Sequence, residues 1–179
     1  MIHCCYVLKS KLALVSSAFV LRPKSYRELS QSPRIAVQGF IVVFLSSLSL
    51  WIAGIGMEFF SGGVSGSRAW AFTWIFPSMV SAWLCWSLLA YFAVCLNRKS
   101  VTVSKILGVL GYAHLPGSFY VLIMIPGLGA LINLFILIWI TFGGVIAIKA
   151  VSNVPAWFSL LISLTGIVIY IIIRSLLQP

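Results

Sequence analysis

The chain has 179 residues, of which 61% are hydrophobic and only 8% are charged, and its mean hydropathy is +1.12. Soluble globular domains are typically about 25% charged, so this composition excludes a water-soluble domain and predicts an integral membrane protein. Twelve Lys and Arg residues oppose two acids, Glu28 and Glu58. The basic residues flank apolar segments and form no basic face interleaved with aromatics, which argues against nucleic-acid binding.

Residues 1–34 form a basic segment that precedes the first long apolar run. Its own apolar patch, residues 12–21, is too short to span a bilayer. Apolar residues recur there at helical spacing, namely Leu8, Leu12, Val15 and Phe19. We expect an amphipathic helix that lies on the membrane surface and stops at Pro23, with a shorter helix over residues 25–31. A signal peptide is the alternative, although no small-residue cleavage site follows the patch.

The basic side chains of this segment are expected to bind anionic lipid headgroups, since each contributes about 1 kcal/mol near such a surface. They are Lys9, Lys11, Arg22, Lys24, Arg27 and Arg34. Cys4 and Cys5 lie in the same segment, and membrane-proximal cysteines are sometimes acylated. Cys85 and Cys95 lie ten residues apart in one apolar segment without metal-ligand spacing, so we interpret them as small apolar side chains.

Residues 35–179 form a second unit that holds five apolar segments, each long enough to cross a bilayer as a helix of about 20 residues. They cover residues 35–57, 70–96, 106–124, from the turn at 125–129 to 148, and 157–173. The expected fold is therefore all-α, a membrane helix bundle with five transmembrane helices and an amino-terminal interfacial amphipathic helix. Pro77 and Pro116 are expected to bend the second and third spans.

The distribution of charge predicts how the chain is threaded. If the amino terminus is cytoplasmic and the spans number five, ten of the twelve basic residues lie on the cytoplasmic side. Only Arg68 and Arg174 lie opposite, as the positive-inside rule requires. An even number of spans would break this partition, so the carboxyl terminus is expected on the opposite side from the amino terminus.

Small residues line one side of the first span and one side of the fifth, and in lipid such stripes mark close helix packing. The residues are Gly39, Ser46, Ser49 and Ala53 on the first span, and Ser159, Ser163 and Gly166 on the fifth. We expect these stripes to be the faces that meet a partner, either a second copy or another membrane protein.

Ionisable groups that could act together at membrane depth are missing from the sequence. Glu58 lies at the outer end of the first span and Glu28 in the basic segment, so the two carboxylates cannot serve as an acid and base pair. The sequence also lacks the HExxH, GxSxG and GxxxxGK[ST] motifs. It therefore predicts that the protein is not an enzyme.

His114 and Asn133 are the polar residues to consider inside the spans. His114 lies about eight residues into the third span, and we expect it to hydrogen-bond a carbonyl freed by Pro116 or a hydroxyl such as that of Tyr112. The alternative is a ligand to haem or chlorophyll, or a part in proton transfer, although no second shell is evident. Asn133 is expected to bridge helices through its amide. No cofactor or metal is otherwise expected.

Several segments resemble the YIP family, the Ypt/Rab-interacting membrane proteins, over residues 20–173. They are Leu21-Arg22-Pro23-Lys24-Ser25-Tyr26-Arg27-Glu28-Leu29, the stretch from Gly111-Tyr112 to Pro116, Ile125-Pro126-Gly127-Leu128-Gly129, and Leu137-Ile138-Trp139 before Ala147-Ile148-Lys149-Ala150-Val151. The resemblance implies a five-helix membrane domain, and eukaryotic members act in vesicle traffic through Rab-type GTPases. Those members carry a long, often acidic amino-terminal region, whereas this sequence has a short basic one. A prokaryotic plasma membrane is therefore the expected location.

We expect a non-enzymatic integral membrane protein of this type that acts through helix packing with itself or other membrane proteins. One set of residues is expected to shape the bundle: Gly111, Tyr112, Pro116, Pro126, Gly127, Gly129 and Asn133. Two alternatives remain open. One is an accessory subunit of a larger membrane complex, such as a pigment or redox assembly. The other is a small transporter or channel with a water-filled path past Asn133 and His114.

Overall fold

The structure is a computed structural model that describes residues 16–60 and 71–177. Within these ranges all regular secondary structure is helical, with no strand. The elements are, in chain order, α1 (Pro23–Leu29), α2 (Ile35–Phe60), α3 (Phe72–Leu96), α4 (Val103–Ala113), a 3-10 helix (Leu115–Met124), α5 (Gly129–Ser152) and α6 (Ala156–Leu177). The predicted residues Cys4, Cys5, Lys9, Lys11 and Arg68 lie outside the described residues.

The five predicted spans are confirmed, because five helices are long and apolar enough to cross a membrane. α2, α3, α5 and α6 are the first, second, fourth and fifth spans, and α4 with the 3-10 helix forms the third. Each helix lies within roughly one turn of its predicted boundaries. Several run further than predicted because a residue such as Lys149 ends an apolar run without ending the helical hydrogen bonds.

Pro77 lies inside α3 and does not interrupt it. Ser78 donates a hydrogen bond of 2.8 Å to the carbonyl of Ile75 beside it. The second span continues through its proline as one helix, whereas the third span changes at Pro116.

The third span lies at the centre of the bundle. In its most apolar stretch 61% of residues are buried inside the protein, against 39% or less for the other spans. α2, α3 and α5 all contact it, while α6 packs against α3 and α5. The third span is also the least apolar of the five, so the span that carries His114 is the one most shielded from the surroundings.

The outer surface of the bundle is made of large apolar side chains. Phe44 on α2 is 37% exposed, and Leu161 and Ile171 on α6 are 54% and 55% exposed. Water-soluble monomers rarely expose apolar patches of more than a few hundred Å², so a surface of this kind requires hydrocarbon as its surroundings.

α1 is fixed to the end of the fourth span. The guanidinium of Arg27 donates from Nε to the carbonyl of Ala150 at 3.0 Å and from Nη2 to Oδ1 of Asn153 at 3.3 Å. A cation at a helix carboxyl terminus also opposes the negative end of the helix dipole. Beside it Tyr26 is buried, and burial raises the pKa of its phenol. The start of the first span and the connector after α5 therefore lie at the same end of the bundle.

The described end of the predicted surface helix lies beside the fourth span. Residues 16–19 are helical, and the carbonyl of Phe19 accepts a hydrogen bond of 3.1 Å from Nε1 of Trp139. Trp139 is ten residues from the start of α5, about 15 Å along the helix axis. This last turn thus packs against the side of α5, well away from its end at Ser152. The rest of the predicted amphipathic helix lies outside the described residues and stays a prediction.

Candidate functional site

The third span changes from an α-helix to a 3-10 helix at His114, beside Pro116. Pro116 lies in the first turn of the 3-10 helix. Its missing N–H is not needed there, because the first amides of a helix have no partner within the helix. The 3-10 helix has ten residues, and runs longer than three or four residues are uncommon because their hydrogen bonds are poorly aligned. Such a segment needs support from its neighbours.

His114 closes the end of α4 with its own ring. Its amide bonds the carbonyl of Gly111 at 3.0 Å, one residue nearer than the α-helical partner Leu110. The carbonyl of Leu110 instead lies 2.9 Å from Nδ1 of the ring. Because a carbonyl only accepts, Nδ1 carries the proton, and in the neutral ring Nε2 is left as an acceptor. The Tyr112 hydroxyl donates elsewhere, to Oε1 of Gln38 at 3.3 Å.

Two serines of the first span hold the backbone of the third. The single proton of the Ser46 hydroxyl is shared between the carbonyl of His114 at 2.8 Å and that of Val42 in its own helix at 3.0 Å. Ser49 donates to the carbonyl of Ser118 at 2.7 Å and accepts from the amide of Val121 at 2.8 Å. These hydroxyls supply the support that the irregular segment needs, since no water is available in hydrocarbon to do so.

Glycines let the first and third spans cross with their backbones in contact. A Cβ at Gly39 would lie 2.7 Å from the carbonyl oxygen of Gly108, and a Cβ at Gly111 would overlap the backbone of Gly39. A Cβ at Gly108 would lie 2.7 Å from the carbonyl of Ile35. The small-residue stripe of the first span is thus covered by the third span of the same chain.

The Gly166 end of the fifth-span stripe is covered by Trp86 of α3. The indole lies over Gly166, where a Cβ would overlap the five-membered ring, and over Gly144 of α5, where a Cβ would overlap the six-membered ring. Ser159 and Ser163 are fully buried. Both stripes therefore pack within the chain, and a partner protein cannot reach them unless the spans move.

A small cavity lies between Trp86 and His114, whose rings meet edge to face with centroids 5.6 Å apart. It offers about 20 Å³ to the centre of a water-sized sphere, and about 10–15 Å³ is enough for one water molecule. Nε1 of Trp86 and Oγ of Ser163 are buried without a hydrogen-bond partner among the described residues. The remaining lining comes from Met79, Ala82, Tyr120, Leu137, Ile140, Gly166, Ile167 and Tyr170.

Asn133 and the predicted turn lie away from this cavity. Oδ1 of Asn133 is buried and has no partner among the described residues, so the expected helix bridge is not formed through this oxygen. Gly127 adopts a φ of +80° in the turn after the 3-10 helix, a conformation that glycine adopts without strain. A Cβ at Gly129 would overlap the carbonyl of Ile123, so this glycine permits the tight connection to α5.

Trp86 and Gly144 are site residues that sequence reasoning missed. The second span contains several tryptophans, and belts at the membrane interface account for those near its ends, so residue type alone does not distinguish the buried Trp83 and Trp86 from the others. The adjacent pair Gly143 and Gly144 inside an apolar run was the available signal. Glycine lowers helix propensity, and a glycine pair in a membrane helix indicates close packing.

The site has the chemistry of a packed polar junction. In the described ranges no group of three or more His, Cys, Asp or Glu side chains could hold a metal ion. No carboxylate lines the cavity beside His114. His114, Ser46 and Ser49 direct hydrogen bonds to backbone groups. These hydrogen bonds satisfy backbone groups of the third span where its α-helix is interrupted.

Comparison with known proteins gives no relative: no family model matches the chain, and no curated protein or solved structure is significantly similar to it. The class of protein rests on the fold. Five helices that can span a membrane, an apolar exterior, and polar groups turned toward the central span define an integral membrane protein.

Proposed function

We propose that this chain is a non-enzymatic membrane protein of the YIP type, which acts through helix packing with itself or with other membrane proteins. The observation that carries the proposal is the use of the polar side chains at depth. Ser46, Ser49 and His114 bind backbone groups of the third span, and the outward surface is apolar. Such a molecule offers surfaces for association in a membrane, in a role of membrane organisation or traffic.

The cavity at His114 favours this proposal over the pigment-binding and transport alternatives. Its volume of about 20 Å³ suits a single water molecule, so a haem or chlorophyll ring beside His114 would require the surrounding helices to separate. A transport path would need several polar groups that converge on a wider passage. Asn133 does not line the cavity, and Trp86 and Ile140 are both buried beside it.

The partner face is proposed on the outer side of α6. The small-residue stripes are covered within the chain, and α6 is the least enclosed span, with 22% of its most apolar stretch buried. Its outward residues include Leu161, Leu164 and Val168. In a bilayer such residues meet either lipid or the helix of a partner, and dispersion contacts and lipid entropy would stabilise association with a partner of complementary shape.

Photo-crosslinking in the native membrane tests this proposal. A photoreactive residue at Leu164, which is 47% exposed, is expected to capture a second copy or another membrane protein. The matched control is the adjacent Ser163, which is fully buried and is expected to capture only other parts of this chain. Capture of lipid alone from Leu164, with a protein that runs as a lone monomer in gentle detergent, would overturn the proposal.

The membrane and orientation are part of the same proposal. Among the described residues, Arg22, Lys24, Arg27 and Arg34 precede the first span, where they would meet the anionic headgroups of a prokaryotic plasma membrane. We place the amino terminus in the cytoplasm and the carboxyl terminus on the opposite side. Reporter fusions at the two termini test this: a cytoplasmic signal from both would contradict it.

A further inference from the structure

A second, larger cavity lies at the end of the bundle that carries α1 and most of the basic residues. It offers about 460 Å³ and is formed where the end of α3, the connector to α4, the first turn of α4 and the end of α5 meet. Its walls combine polar and apolar groups from Tyr91, Cys95, Ser100, Val101, Thr102, Lys105 and Val151. It is independent of the junction at His114.

The groups in this cavity are hydrogen-bond donors of the kind that a phosphate accepts. Lys105 contributes an ammonium group, and Ser100 and Thr102 contribute hydroxyls; all three residues are exposed. Phosphate oxygens accept such bonds, and bonds that involve an ionised partner are roughly twice as strong as neutral ones. Val101 and Val151 supply an apolar wall beside these groups, so the cavity fits a ligand that is polar at one end and apolar at the other.

The surrounding charge is strongly positive. Arg98 and Lys99 are exposed in the same connector. Of the two acids in the chain, Glu58 lies on the last turns of α2, at the opposite end of the bundle, which leaves Glu28 on α1 as the single acid at this end. A cavity in such a field attracts anions, and the nearest anions to a membrane surface are the headgroups of its lipids.

We propose that this cavity binds the phosphate headgroup of an anionic phospholipid, with Lys105 as the counter-charge and Ser100 and Thr102 as donors. The acyl chains then continue along the apolar outer surface of the bundle. The bound lipid then contacts the ends of the second and fourth spans and the start of the third. A free phosphate ion offers the same acceptor oxygens as a lipid headgroup, so the experiment has to distinguish the two ligands.

The test is a lipid titration of the full chain in a neutral detergent, read by native mass spectrometry. Phosphatidylglycerol is expected to bind at least about fivefold more tightly than phosphatidylcholine. Lys105→Gln is expected to weaken phosphatidylglycerol binding about fivefold, the equivalent of about 1 kcal/mol for one lysine near an anionic surface. The matched control, Lys149→Gln, makes the same charge change at an exposed residue at the same end of the bundle, outside the cavity, and is expected to stay within twofold of wild type.

Three results would overturn the proposal. If both lysine variants lost the same affinity for phosphatidylglycerol, the attraction would come from the surface charge as a whole. If both lipids bound equally tightly, the cavity would not recognise the charge of the headgroup. Displacement by millimolar inorganic phosphate, without any preference between the lipids, would assign the cavity to a soluble anion. If Lys105→Gln does not fold, a photoreactive phosphatidylglycerol on the wild-type chain replaces it, and labelling is expected within residues 91–105 or at Val151; labelling confined to other segments would refute the site.

Discussion

The crossing of the first and third spans at Gly39 provides the sharpest test of the packing described above. Gly39→Ala would place a Cβ 2.7 Å from the carbonyl oxygen, 3.0 Å from Cα and 3.2 Å from the carbonyl carbon of Gly108. All three are backbone atoms, so no side chain can rotate to relieve the overlap. The two helices must separate by several tenths of an ångström.

The cost of that separation follows from the contacts on either side of Gly39. Overpacking a filled interior costs about 1–3 kcal/mol, and the better helix propensity of alanine offsets at most about 1 kcal/mol. Ser46 lies seven residues further along α2, and its bond of 2.8 Å to His114 would lengthen with the same movement. We therefore expect Gly39→Ala to lower the free energy of unfolding by about 1–2 kcal/mol.

Gly54→Ala is the matched control on the same helix, because a Cβ there would have no other atom within 4 Å. We expect its free energy of unfolding to equal that of wild type or to exceed it slightly. Both variants can be measured by steric trapping or by denaturing detergent titration in mixed micelles. If Gly39→Ala proves as stable as Gly54→Ala, the close approach of the two backbones is wrong.

Three further predictions concern the same framework. Ser49→Ala removes both bonds that link α2 to the 3-10 helix and is expected to cost about 1 kcal/mol, whereas Ser47→Ala, whose hydroxyl bonds only its own helix, should cost much less; equal unfolding free energies would contradict this role. Gly166→Ala is expected to destabilise the wild-type chain but far less a Trp86→Leu background, so a double-mutant cycle should give a coupling of about 0.5–3 kcal/mol, and additive effects would refute the indole contact. Arg27→Gln is expected to release α1 from the end of α5 and to speed hydrogen exchange and limited proteolysis before the first span, and unchanged protection would show that the contact is not maintained.

Much of the architecture is a local property of the sequence and could be predicted from it. A run of about 20 apolar residues is driven into hydrocarbon wherever it lies in the chain, and a helix is then required to satisfy its backbone. A disturbance at Pro116 could also be predicted, since a proline removes one donor from its own helix, but Pro77 carries the same local signal and α3 continues through it. The basic residues indicate a topology without reference to any contact.

The neighbours of each helix face could not be predicted in this way. The stripe through Gly39 and Ser46 indicates close packing, but packing against the third span of the same chain and packing against a separate protein leave the same pattern in the sequence. Trp86 is likewise of a residue type typical of the membrane interface. Its place between Gly144 and Gly166 depends on the packing of α3, α5 and α6 together.

The sequence by itself determined the medium and the number of crossings, because each depends on runs of apolar residues adjacent in the chain. The tertiary structure alone decided that Ser46, Ser49 and the ring of His114 satisfy that interruption. It also decided that Lys105 lines a cavity to which α3, α4 and α5 all contribute residues. These features depend on how each helix is rotated about its axis, and that rotation is set by the contacts of all five spans together.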